Sequence, residues 1–255
     1  GGWLLTAYDD VKAAQKDRRF SAERVKPFTN HMAATKRPEL ERMGILLNQW
    51  LLFRDPPAHT PLRRLLIDTF TPRAINALRP RIGEIVTELL SPLSTRDQFD
   101  MIGDFAFPMP ATVIAHILGV PSSDVPKFRS WSNDLATVIG NSRQVPDRFE
   151  RGARALFTLT DYFRATVLQR SNERKKGALV DDLISAREAG SPMSEEELVA
   201  SCILILFAGH ETTMNLIGNA TLLLLKHRSQ LALLRDDSNL ISSMVEEVLR
   251  YECAA

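Results

Sequence analysis

Along most of the chain the apolar positions recur at intervals of three and four. Leu62, Leu65, Leu66 and Phe70 form one such run, and Ile75, Leu78, Ile82, Ile85, Val86 and Leu89 form a longer one. That period is the mark of helices with one buried face. The longer run opens on Thr71-Pro72, an N-cap residue followed by proline at the first helical position. Val113, Ile114, Ile117 and Leu118 predict another helix, closed by Gly119 and Pro121. Two more are expected over residues 122–139 and 145–176, separated by Gly140-Asn141. The second reads as long and exposed, because Arg148, Arg151, Arg154 and Arg164 interleave with Asp147, Glu150 and Asp161. Ser194-Glu195-Glu196-Glu197 is a capping box opening the longest helix, residues 195–226, and a last helix is expected over 240–251. Residues 203–207 are apolar all round, which places the long helix at the centre of the protein.

The start of the chain follows a different rhythm. Residues 3–8 alternate weakly and read as a short strand, with 20–25 as an extended partner; between them Asp9 caps a helical turn through Val11 and Ala14. Residues 37–53 read as loop-rich and partly helical, with Met43, Leu46, Leu47, Trp50 and Leu51 apolar, and Asp55-Pro56-Pro57 punctuates the chain. With no internal repeat and no flexible linker, the expected architecture is a single, mainly α domain over 1–255. A small β region occupies about 1–25 and a helical region about 55–255.

Composition narrows the function classes. Of 255 residues 44% are hydrophobic and 25% charged, which is ordinary for a globular chain. A net charge of +1 supplies no field for holding nucleic acid or an anionic membrane. The two cysteines, Cys202 and Cys253, cannot build a disulfide framework or a four-ligand zinc site. The longest apolar stretch, 199–209, is interrupted by Ser201 and is too short to span a bilayer. The chain opens Gly1-Gly2-Trp3 without Met and stops at Ala255 directly after a helical pattern, so both ends read as cuts in a longer chain.

Candidate chemistry lies where the apolar pattern is broken. The most apolar helix contains Ala208-Gly209-His210-Glu211-Thr212-Thr213. Glycine inside a helix costs roughly 1 kcal/mol relative to alanine, and burying an unpaired carboxylate costs several more. A helix kink with its polar groups on a solvated seam would account for that run as well as a polar notch with an acid and an alcohol at its rim. In the notch reading Gly209 opens space beside the helix, and Thr212 competes for the carbonyl of Ala208. A zinc-hydrolase helix is excluded, because Met214 stands where a second histidine would be needed. His59 and Arg63, four apart at a helix start, present two donors suited to carboxylates or phosphate. Glu247 and Arg250, three apart on the last helix, share a face.

Taken together and in this order, these pieces resemble the haem-thiolate monooxygenases, the cytochrome P450 family, in its soluble bacterial form. Residues 55–64, Asp-Pro-Pro-Ala-His-Thr-Pro-Leu-Arg-Arg, are similar to the family's haem-propionate segment. The resemblance implies that His59 and Arg63 bind propionates. Arg63 is the firmer assignment, because Pro61 starts the helix proper and can tilt His59 away. Residues 208–213 are similar to the oxygen-activation motif, implying that Glu211 and Thr212 relay protons while Ala208 and Gly209 leave room for dioxygen and substrate. Glu247 and Arg250 match the Glu-x-x-Arg structural motif. The resemblance further implies haem b, dioxygen, a small hydrophobic organic substrate, a ferredoxin- or flavodoxin-type electron donor and a cytoplasmic location, with no nucleic-acid or membrane partner. Arg64, Arg73, Arg79 and Arg81 would form the docking surface for that donor. Apolar residues at 46–53 and 205–208 would line the pocket. The family's axial cysteine loop follows the Glu-x-x-Arg helix and is not in this chain; Cys202 reads as core packing, and Cys253 lacks the loop's context. The fold expected is a truncated P450-like helical one, and the second functional reading is a non-catalytic helical piece without stable thiolate-haem.

Overall fold

The computed structural model describes residues 3–25, 37–140 and 145–252. Helices α1 (Tyr8–Lys16), α2 (Pro38–Leu47), α3 (His59–Thr69) and α4 (Pro72–Leu90) come first. A π-helical turn, Met101–Ala106, leads into α5 (Pro108–Leu118), followed by α6 (Val125–Ile139), α7 (Arg148–Glu173) and α8 (Leu179–Glu188). The chain then runs through α9 (Glu195–Lys226), α10 (Arg228–Asp236) and α11 (Ile241–Tyr251).

The helix starts follow the local chemistry of the sequence. Thr71 Oγ1 accepts the Ala74 N–H at 3.2 Å and opens α4 ahead of Pro72. At α9 the capping box is reciprocal: Ser194 Oγ accepts the Glu197 N–H at 3.1 Å, and Glu197 Oε2 accepts the Ser194 N–H at 2.8 Å. Such a cap stabilises a helix by about 1 kcal/mol. Glu197 also takes Arg54, which reaches Asn48 O at 2.9 Å as well, so the start of α9 is tied to the segment leading into α3.

The core is built on the first half of α9, where Leu198, Val199, Cys202, Ile203 and Leu206 are buried against α5, α7 and α8. Helix α7 is less exposed than its charges imply. Leu156, Leu159, Phe163 and Val167 are buried on one face, each worth about 1.5–3 kcal/mol, while the arginines occupy the other. Helix α6 lies against it closely enough that a Cβ at Gly152 would meet Val138 Cγ2 at 2.3 Å. Phe128, Trp131, Tyr162 and Phe163 fill the α6–α7 seam, with Phe128 edge-on to Tyr162 at 5.4 Å.

One buried ion pair joins α7 to α8. Arg170 holds Asp181 through two bonds of 2.6 Å and also donates to Gly119 O at 2.7 Å. Gly119 ends α5 at φ +66°, and a Cβ there would lie 2.5 Å from Arg170 Cζ, so both backbone sign and space require glycine. Burial raises the Asp181 pKa, but the bonds from Arg170 and the Ala178 N–H outweigh it and hold the carboxyl below the usual range.

Several expectations need correction. Among the described residues there is no strand. A strand needs a ladder partner, yet Trp3 and Leu4 are 99% and 87% exposed, and Ser21 and Ala22 instead bond to the Asp55 carboxylate. In the segment expected to line a pocket, Leu47, Trp50 and Phe53 are buried, with Trp50 stacked on Phe53 at 6.1 Å, while Leu46 and Trp50 border a small cavity against α7 and α9. Helix α8 and the π-turn were not expected at all. By length and composition, Met101–Leu118 and Glu195–Lys226 could each cross a membrane; 39% and 33% of their most apolar stretches are buried within the fold.

Candidate functional site

Helix α9 is unbroken through the polar run, and its two sides differ. On one side Gly209 faces α5: an added Cβ would lie 2.5 Å from Ile114 Cδ1 and 2.9 Å from Cγ1. Glycine here makes room for a neighbouring helix, rather than opening free space beside α9 as the sequence reading expects. His210, the next residue, is 3% exposed and lies edge-on to Phe107 with ring centroids 5.9 Å apart. Its Nδ1 is 2.6 Å from Leu206 O. A carbonyl only accepts, so Nδ1 carries the proton, and burial pushes the imidazole pKa down toward the neutral form.

On the other side Ala208 and Thr212, one turn apart, are exposed, with Glu211 half-buried between the two environments. Thr212 Oγ1 donates to Ala208 O at 3.0 Å, and Thr213 Oγ1 to Gly209 O at 3.0 Å. The Thr212 bond is the competition for the Ala208 carbonyl expected from the sequence, made here without opening the helix. Glu211 has no hydrogen-bond or ion-pair partner among the described residues, and burial raises its pKa. The arrangement is an acid without a partner among the described residues, next in sequence to an exposed, backbone-bonded hydroxyl on a largely apolar helix.

His59 and Arg63 occupy the first two turns of α3, His59 half-buried and Arg63 exposed. Neither makes a side-chain hydrogen bond or ion pair with a described residue. No such bond connects them to α9. Glu247 and Arg250 form a two-pronged pair on α11, both bonds 2.7 Å, with side chains 59% and 68% exposed. Glu247 borders an open groove of about 790 Å³ between the end of α9, α10 and α11, lined also by Leu223, Leu234, Met244 and Val248. Of the four expected docking arginines, Arg81 is tied to Glu84 and Glu88 and Arg79 to Asn76, whereas Arg64 and Arg73 have no partner among the described residues. Cys202 is fully buried and its thiol is pushed up to about 12, which suits packing rather than metal ligation. Cys253 lies outside the described residues.

The profile of the cytochrome P450 family matches residues 4–241. The chain is a cytochrome P450. Cytochrome P450 107B1 of Saccharopolyspora erythraea is 40% identical over 253 residues, covering 98% of this chain and 60% of that protein. The vitamin D(3) 25-hydroxylase of Pseudonocardia autotrophica is 39% identical over 251 residues, covering 98% and 58%. Among solved structures, P450BioI in complex with a hexadec-9Z-enoic acid ligated acyl carrier protein superposes with a TM-score of 0.88 at 35% identity, covering 98% of this chain and 63% of that one. This P450 chain thus spans about 60% of the length of the curated relatives it matches.

The residues present fit the family's cofactor. A flat apolar disc with two carboxylates at one edge calls for an open apolar helix face and hydrogen-bond donors, and the Ala208 side of α9 together with His59 and Arg63, which have no partner among the described residues, supplies both. Sequence reasoning missed His210, whose type gives no sign of its bond to Leu206 O, and the Arg54–Glu197 link between the two segments. The only signal for the latter was that Glu197 closes a capping box beside an apolar run.

Proposed function

We propose that this P450 is the part of a haem-dependent monooxygenase that carries its proton-delivery helix and its cofactor-edge donors, acting on a small hydrophobic organic molecule. The observation that carries this reading is the unpaired, half-buried Glu211 beside the exposed Thr212 hydroxyl. Haem b, when bound, would supply dioxygen binding and activation. Arg63, with His59, would bind the cofactor's carboxylates by charge-assisted hydrogen bonds. The single methyl of Ala208 keeps the helix wall low, and the apolar neighbours Leu204 and Ile205 limit water at the site. Glu211, with its pKa raised, holds a proton nearer to neutral pH than an exposed glutamate does. Thr212 can exchange its bond to the Ala208 carbonyl for one to a water, leaving its hydroxyl to hand that proton on.

A ferredoxin- or flavodoxin-type electron donor is the partner this reading requires, and the unpaired Arg64 and Arg73 are its proposed contacts. A cytoplasmic setting is proposed with it. Their names span a vitamin D(3) hydroxylase and a carrier-bound fatty acid, so hydrophobic character is the substrate property put forward here. The test is the absorption of the whole protein, reduced under carbon monoxide. The thiolate-haem band is expected, and its absence in a haem-loaded sample would overturn the assignment.

A further inference from the structure

We infer that His210 is a positioning residue, whose Nδ1–H bond to Leu206 O anchors the buried side of the α9 turn that carries Glu211 and Thr212 on its open side. The inference rests on the functional reading above and adds a residue to it. Three carbonyls in that turn, those of Leu206, Ala208 and Gly209, each receive a side-chain donor from four residues further on: His210, Thr212 and Thr213. On the open side the threonine hydroxyls compete with the main-chain ladder for these carbonyls, so the turn holding the acid and the hydroxyl needs a fixed point on its buried side.

The three donors are not equivalent. Thr212 is exposed and can turn toward a water, and Thr213 is half-buried. His210 alone is fully enclosed, with the shortest bond of the three at 2.6 Å. Its ring is held against Phe107, which in turn lies under the Arg129 guanidinium at 4.8 Å. Gly209, the preceding residue, presses α9 onto Ile114 of α5. The buried side of the turn is therefore fixed to α5 and the segment before it, and any loosening is confined to the side where Thr212 works. With Nδ1 committed as donor and the ring buried against Phe107, the imidazole sets where Glu211 and Thr212 stand.

Packing and bonding separate in two substitutions. In His210→Asn the amide nitrogen takes the place of Nδ1 and keeps the bond while losing ring volume. In His210→Leu the volume is kept and the donor lost. The whole, haem-loaded protein is used, its thiolate band under carbon monoxide recorded first, so that failure of the P450 reading is seen separately. Hydrogen exchange of the peptide covering residues 206–213 should be about fivefold faster in H210L than in wild type, the effect of one neutral hydrogen bond, and close to wild type in H210N. Peroxide released per NADPH consumed, with a surrogate ferredoxin and reductase and no substrate added, should follow the same order. Equal exchange in H210L and wild type, or a larger defect in H210N than in H210L, would show a packing role and overturn the inference. Histidine 15N shifts of the wild-type protein, assigned with H210N, give a check that does not depend on H210L folding. Protonation at Nδ1 is expected, and a His210 protonated only at Nε2 would refute the bond on which everything else depends.

Discussion

Gly209 and Gly218 stand on the same helix, and substituting alanine at each separates two physical effects. Alanine in a helix interior is favoured over glycine by about 1 kcal/mol, so both variants begin with the same gain. At Gly218 the new methyl would meet only Ile102 Cδ1 at 2.7 Å, the far end of a side chain that is 38% exposed and free to swing away. Gly218→Ala should therefore stabilise by up to about 1 kcal/mol. At Gly209 the methyl would meet Ile114 at both Cδ1, 2.5 Å, and Cγ1, 2.9 Å. Ile114 is only 8% exposed, so it cannot move without displacing α5 or its neighbours. Overpacking of this kind costs about 1–3 kcal/mol, which leaves Gly209→Ala between neutral and roughly 2 kcal/mol destabilised. Thermal midpoints of the haem-loaded protein should place G218A above wild type and G209A at or below it, a gap of a few degrees. Trimming the obstacle with Ile114→Val should recover part of the loss in the G209A background while costing about 0.5–1.5 kcal/mol in wild type. A G209A protein as stable as G218A, with no coupling to I114V, would refute the claim that α5 and α9 touch through this glycine.

Thr212→Ala should leave folding unchanged and divert electrons to peroxide, read as peroxide formed per NADPH consumed. Asp181→Ala leaves Arg170 as an uncompensated buried cation, and a loss of about 3–5 kcal/mol is expected by urea denaturation. The pH dependence follows from the same pair: the folded Asp181 pKa lies below its unfolded value near 3.9, so its contribution is present above that pH and is lost as pH falls through the folded value. D181A should consequently flatten the acid limb of the stability profile. Electron transfer from an acidic ferredoxin should slow as salt is raised, and Arg64→Glu with Arg73→Glu should remove that dependence.

The parts of this structure that were legible in the sequence carry their own chemistry. Thr71-Pro72 and Ser194 with Glu197 mark helix starts because the cap and the groups it satisfies lie within four residues. At 212 the bond to the Ala208 carbonyl was legible because donor and acceptor lie four residues apart on one helix. What was hidden depends on distant partners. The N-terminal alternation is real, but alternation supplies no ladder. Gly209 announces a missing side chain without saying that Ile114 fills the gap. Trp50 and Phe53 have the residue types of a pocket wall and of a core alike, and the contact of Trp50 with Phe207 at 5.8 Å joins residues far apart in the sequence. Helix α8 is ten residues long, and its buried Asp181 looks like a surface charge until Arg170 arrives from α7.

Glu197 answers to two masters. Its carboxylate caps α9 by accepting the Ser194 N–H and also holds Arg54, five residues before His59, the first residue of the helix that carries His59 and Arg63. Glutamine would serve the cap equally well and would fail the arginine, so substitution tolerance at 197 should be narrower than at an ordinary capping box. One side chain thereby joins the tolerance of two sequence motifs 143 positions apart, and a change accepted at one end becomes conditional on what stands at the other.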